Sequence, residues 1–143
     1  MSDNVELLRE FWRVWRDEGG AGLVERYDEF FIEDAEWSPP MREMTGSRYV
    51  GRHGIEQYVH DLGHVLTDLR GEVEEVTEVA PDVVRSRVRI HGQGRVSGMT
   101  LDAPMIGIAR LRDGRMSLAW ASYDPEAAKR AETAIVNGEP LPV

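Results

Sequence analysis

Four groups of residues in this 143-residue chain have types and spacings that could do chemistry. His60 and His64 stand one helical turn apart in His60-Asp61-Leu62-Gly63-His64, the spacing of a two-imidazole metal motif, with Asp where zinc proteases carry Glu. Arg85, Arg87, Arg89 and His91 alternate with Val84, Ser86, Val88 and Ile90. On a strand, one face of that segment would hold three guanidinium groups and an imidazole. Such a face could bind an anionic oxygen through charge-assisted hydrogen bonds, with His91 moving a proton near neutral pH. Tyr49 and Tyr123 are candidate hydroxyl donors, and Asp34 and Asp102 are the carboxylates to weigh beside them.

Elementary geometry trims this set. Counting 100° per residue from Leu62, His60 and His64 lie about 160° away on either side, facing away from the apolar stripe of their helix. A catalytic metal also needs a third ligand and a pocket, so neither a metal nor any other cofactor is expected. His53, between Arg52 and Gly54, reads as a surface turn residue. Asp34 reads as a cap at the end of a helix or the start of the next strand, and Asp102 has the outward parity of its strand, so neither is given a catalytic role.

The composition sets further limits. The formal charge of −9 disfavours a phosphate-backbone partner, which requires a basic face, so no nucleic acid is expected. With no cysteine there is neither a disulfide framework nor a thiol nucleophile. No window holds 18 uninterrupted apolar residues, and the opening Met1-Ser2-Asp3-Asn4 lacks the basic and apolar regions of a signal peptide, so no membrane span and a cytoplasmic location are expected. The length is that of one domain, expected over residues 1–136 with a loose tail at 137–143, and is enough to enclose a cavity.

The elements follow from periodicity. Leu7, Leu8, Phe11, Val14 and Trp15 form one stripe and predict a helix from Asn4 to Glu18, with Arg9, Arg13, Arg16 and Asp17 opposite. Gly19, Gly20 and Gly22 break it, after which Leu23, Val24, Tyr27, Phe30 and Phe31 predict a second helix. Ala35-Glu36-Trp37-Ser38 predicts a short strand, ended by Pro39-Pro40, with a loop to Arg52 that carries Met41 and Met44. Ile55, Tyr58, Val59, Leu62, Val65, Leu66 and Leu69 share about 120° of arc and predict a third helix from Gly54 to Leu69. The period then changes to two over Glu72–Ala80, Val83–Gly94, Met99–Arg112 and Arg115–Asp124, with turn pairs Pro81-Asp82 and Asp113-Gly114 between antiparallel strands. Asp124-Pro125-Glu126 predicts the start of a last helix, to about Val136.

Several segments match a known pattern: Asp34-Ala35-Glu36-Trp37 after the second helix, Tyr49-Val50-Gly51-Arg52-His53-Gly54-Ile55 before the third, Gly94-Arg95-Val96-Ser97-Gly98 between long strands, and Arg112-Asp113-Gly114-Arg115 before the last strand. Over roughly Asn4 to Ala131 the chain resembles the SnoaL-like branch of the NTF2-like superfamily. The resemblance implies an α+β cone, a curved sheet wrapped around helices, frequently dimeric and hosting isomerases, cyclases, hydrolases, dehydratases and non-enzymes, so fold alone does not give function. The positions matching the three ketosteroid isomerase groups hold Pro39, Phe11 and Gly107, and all three chemical groups are missing. The positions matching a limonene-type epoxide hydrolase read Arg87, Arg89, Ala121, Trp37 and Pro39, where only the arginine survives.

Periodicity alone points the Val84 row of the fourth segment inward and its arginines outward, because unpaired buried arginine is costly. The resemblance implies the reverse, since the hydrolase polar groups share the parity of Arg87 and Arg89 and face the cavity. With both weighed, Arg87, Arg89 and His91 are expected inside. The same reading puts Leu101, Ala103, Met105, Gly107, Ala109, Ser117, Ala119, Ala121 and Tyr123 on the cavity face, opposite Phe11, Trp15, Tyr27, Phe31 and Trp37, with Met41 and Tyr49 at the loop side. Small residues facing large ones could equally be ordinary core packing or leave a ligand cavity. The expected function is a cavity for a small, mostly apolar, anionic or enolisable ligand, bound by a homodimer. Catalysis would use His91, Arg89, Arg87 and Tyr123 without a cofactor, and Arg89→Met should weaken binding. The alternative is a non-catalytic binding or dimerising domain.

Overall fold

Leu8, Phe11, Trp12 and Trp15 are three and four residues apart, so a helix places all four on one side, and α1 (Asp3–Asp17) buries them. The coordinates are a computed structural model and describe residues 3–40 and 48–141. Gly19, at φ +72°, makes the break that ends α1. Gly20 and Gly22, expected in the break, instead lie inside α2 (Gly19–Glu25). Close packing explains Gly20, because a Cβ there would sit 2.8 Å from Cγ1 of Val59. Arg26 ties these first turns together, reaching Glu29 at 2.7 Å, Glu10 at 3.2 Å and Glu18 at 3.5 Å. After the one-turn α3 (Tyr27–Phe30) the chain extends as β1 (Phe31–Ser38), so Phe31 begins a strand instead of ending a helix.

A short strand that periodicity did not show, β2 (Tyr49–Val50), pairs antiparallel with β1 through Trp37 opposite Tyr49. The helix α4 (Gly51–Val65) starts three residues earlier and ends four residues sooner than the spacing of its leucines predicts. Leu66 and Leu69 belong instead to β3 (Leu66–Ala80), where the register slips between Thr67 and Arg70 and Asp68 adopts φ +54°. Such an irregularity lets residues three apart on a strand share a face, which is why this pair mimics a helical stripe. The remaining strands are β4 (Val83–Gly94), β5 (Thr100–Arg112) and β6 (Arg115–Ser122).

The six strands form one sheet in the order β2-β1-β6-β5-β4-β3, antiparallel throughout except for β1 beside β6. Its inner face presents Val76, Val84, Val88, Ile90, Met105, Ala109 and Ala119 to the aromatic residues of α1 and β1. The outer face of β5 and β6 is also apolar, and Ile108, Leu118 and Trp120 are buried under Ala128, Ala131 and Ile135 of α5 (Pro125–Asn137). That helix starts as its sequence predicts, with the Asp124 carboxylate accepting from the Glu126 N–H at 3.0 Å.

Two outcomes follow from these ties. Asp124→Ala should destabilise the protein by about 1 kcal/mol in urea unfolding, with Asp124→Asn within a few tenths of the parent, as expected for an N-cap. Hydrogen bonds from Arg13, supported by Arg26, outweigh burial and hold the Glu10 carboxyl at about 2, below its ordinary 4.5. A depressed carboxyl stabilises above its unfolded pKa and loses that contribution as pH falls towards the folded value. The Tm advantage of the parent over Glu10→Gln should therefore shrink as pH drops from about 4.5 to about 2.

Candidate functional site

Between α1, α4 and the inner face of the sheet lies a cavity of about 350 Å³. Its inner end is walled by Trp12 and Trp15 from α1, Trp37 from β1, Tyr58 and Leu62 from α4, and Ile90 and Met105 from the sheet. The mouth is marked by its more exposed lining residues, Leu66, Leu69 and Arg70 of β3, Leu101 of β5, and Tyr123 just past β6. Trp12 and Trp37 also line a smaller void of about 20 Å³, together with Ser86, Gly107, Ala109, Ala119 and Ala121 among others.

The register of β4 against β5 corrects the expectation for the arginine row. Ile90 pairs with Ala103, Val88 with Met105 and Ser86 with Gly107, so Val84, Ser86, Val88 and Ile90 share the inner face with Met105 and Gly107. Arg85, Arg87, Arg89 and His91 are therefore on the outer face, opposite to the expectation for Arg87, Arg89 and His91. The physical reason is the cost of burying unpaired guanidinium groups, while outside they find acids. Arg89 donates to Asp102 at 2.9 Å, Arg85 to Glu132 of α5 at 2.9 Å, and His91 lies 3.5 Å from Glu72 and 3.6 Å from Asp102. The Arg89 hydrogen bond holds the Asp102 carboxyl below its usual range. Arg87 is exposed, beside Glu75 in register.

Of the other residues named from sequence, Trp15, Trp37, Met105 and Tyr123 line the cavity, and Phe11, Gly107, Ala119 and Ala121 line the small void. Tyr27 and Phe31 are core residues stacked at 5.0 Å, and the Tyr27 hydroxyl donates to the Ile32 carbonyl at 2.7 Å, so neither reaches the cavity. Tyr49 is buried with its hydroxyl donating to Asp61 at 2.9 Å, away from the cavity lining. Ala103 faces inward beside Ile90 but does not line the cavity, and Met41 lies outside the described residues. His60 and His64 are exposed on α4 with their Nε2 atoms 3.1 Å apart, and no group of three or more metal-ligating side chains occurs among the described residues.

Sequence reasoning missed Trp12, Tyr58 and Arg70 as lining residues. Trp12 stands four residues from Leu8 and three from Trp15, a signal that was present and not used. Arg70 had no signal, since its placement depends on the irregular start of β3.

The titratable groups facing the cavity are few. Burial and the neighbouring Tyr123 push the Tyr58 phenol up, with the Trp37 indole acting against them, and burial also raises Tyr123. Both phenols are therefore neutral hydrogen-bond donors at physiological pH. Arg70 is the one cation and no carboxylate or imidazole lines the cavity, among the described residues. This set can enclose an apolar molecule and polarise its oxygens.

Comparison with known proteins agrees with this architecture. An NTF2-like protein of unknown function from Burkholderia pseudomallei superposes with a TM-score of 0.73 at 16% identity, covering 95% of this chain and 98% of the other. TerC, co-crystallised with polyporic acid, gives 0.72 at 21% identity over 92% and 99% of the two chains. A protein described as a SnoaL-like polyketide cyclase, from Jannaschia sp. CCS1, gives 0.68 at 22% identity over 96% and 94%. No protein of curated function matches with significance. The SnoaL-like domain family matches residues 8–119, and with the α+β cone now described, this chain belongs to that family.

Proposed function

We propose that this protein binds a small, flat, mostly apolar molecule in the cavity between α1, α4 and the sheet. One observation carries the reading: a cavity of about 350 Å³ walled by the indoles of Trp12, Trp15 and Trp37 and edged by neutral hydroxyl donors. Its size lies at the lower end of small-molecule sites, about 300–1,000 Å³, and large apolar walls with few polar groups are their usual composition. The rings are held in place by their neighbours, Trp37 lying edge-on to Tyr58 at 5.4 Å and Trp12 edge-on to Phe11 at 5.0 Å. The co-crystallisation of TerC with polyporic acid supports a ligand of this kind in a related cone.

Proton abstraction needs a base whose pKa lies near the working pH and within hydrogen-bond reach of the substrate. The described lining offers phenols and a guanidinium in place of such a base. The reading supported best is thus binding, with the ligand enclosed and its oxygens polarised. Cyclisation of a bound chain is the second reading, favoured by the cyclase descriptions of related structures and requiring only that shape and the Tyr58 and Tyr123 hydroxyls guide a reactive substrate.

Isothermal titration with 1-naphthol tests the cavity directly. Leu101→Trp, which fills the mouth, should weaken binding at least about tenfold, equivalent to ~1.4 kcal/mol. Arg89→Met, on the outer face beside Asp102, should leave affinity within about twofold. No binding by the parent at millimolar probe, or an unaffected Leu101→Trp variant, would remove the cavity from the function. Arg70 gives a second test. Replacing it by Gln should weaken 1-naphthoate by about threefold to fivefold at low salt while sparing 1-naphthol, the magnitude of a partly exposed ion pair.

A further inference from the structure

We infer that the inner end of the cavity takes one neutral carbonyl oxygen of the ligand, held between the Trp12 indole N–H and the Ser86 hydroxyl. This deepens the binding reading above and rests on it. Trp12 is 5% exposed and Ser86 2% exposed, and neither Nε1 of Trp12 nor Oγ of Ser86 has a hydrogen-bond partner among the described residues. A buried polar group left unpaired carries its full desolvation penalty, so a partner supplied by the ligand recovers free energy that the unliganded protein forgoes.

The surroundings fix what that partner can be. Both residues line the void of about 20 Å³, whose remaining walls are aliphatic and phenyl side chains, Gly107 and the indoles of Trp37 and Trp120. A volume of that order holds a single oxygen-sized atom. Neither a charged side chain nor a carboxylate lines it among the described residues, so an anion there would be desolvated without compensation. The indole N–H only donates, and the serine hydroxyl can donate as well, which suits a carbonyl with two lone pairs. Trp12 and Trp37 line both the void and the main cavity, so a ketone or quinone oxygen that reached past them into the void would meet the residues that carry both donors while its rings remained among the tryptophans.

The donor is held in advance. A Cβ on Gly71 would lie 3.3 Å from Cε3 of Trp12, and one on Gly107 would lie 3.6 Å from its Cζ2. The indole thus fills the space that two side-chain-free strand positions leave on either side of it. Gly107 is also the cross-strand neighbour of Ser86, so the residue beside the hydroxyl has no side chain to occupy the void.

Isothermal titration of the full chain with 1-tetralone and with tetralin, which has the same bicyclic shape without the carbonyl, tests the inference. A purely apolar cavity would favour tetralin, the less water-soluble of the two. The structure predicts the opposite order, with 1-tetralone at least about tenfold tighter, a difference of ~1.4 kcal/mol. Ser86→Ala should bring that ratio down by about threefold or more and leave tetralin affinity within about twofold, and Trp12→Phe, which also changes the cavity wall, should lower the ratio by as much whatever it does to tetralin. If Trp12→Phe does not fold, Ser86→Ala decides alone. Equal affinities in the parent, or an unchanged ratio in Ser86→Ala, as expected where a water already serves the two donors, would overturn the carbonyl site and leave the cavity reading standing. Failure of both probes to bind the parent would overturn the cavity reading itself.

Discussion

The register between β4 and β5 determines what this cone has inside it. Ile90 opposite Ala103 and Val88 opposite Met105 place two aliphatic rows together on the concave face, where the α1 aromatics cover them. Side chains alternate strictly along a strand, so a slip of one residue would exchange every inward group for its neighbour. The interior would then receive three guanidinium groups with no acid to meet them. Outside, Arg89 pairs with Asp102 and Arg85 with Glu132, while Arg87 stands beside Glu75 in register, and an exposed ion pair has little desolvation to overcome. The preference for one register therefore comes less from the strength of the outer ion pairs than from the cost of the alternative.

The chemistry available within follows from that choice. Among the described residues, what lines the cavity and the small void is neutral apart from one guanidinium at the mouth: two phenols, indole N–H groups and one serine hydroxyl. Desolvation acts in the same direction on both phenols and keeps them protonated. A site of this composition would discriminate by shape and oxygen placement in preference to net charge.

Much of this architecture could be read from sequence. The long strands, their turns at Pro81-Asp82 and Asp113-Gly114, and the Asp124 cap occur where local rules put them, because those features depend on neighbours a few residues away. Ala119 and Ala121 lie on the inner face where the parity implied by the resemblance put them, but the irregularity between Arg110 and Leu111 brings Met116 into the core where Ser117 was expected. The β4 face was misread, because its apolar row obeyed the simple rule and a family analogy argued against it. Leu66 and Leu69 misled differently, since a strand irregularity reproduced helical spacing. The positions of Arg70 against the cavity and of Ser86 against the small void could not be assigned from sequence, as they arise only when β3, β4 and α1 come together.

The distribution of tryptophan has a practical side. Three of the four indoles surround the cavity, while Trp120 sits on the opposite side of the sheet beneath α5. A molecule entering the cone would change the surroundings of three emitters directly, and those of Trp120 only where it reached the small void that this residue also lines. The intrinsic fluorescence of the unlabelled protein would therefore report occupancy mainly through the three indoles of the cavity wall.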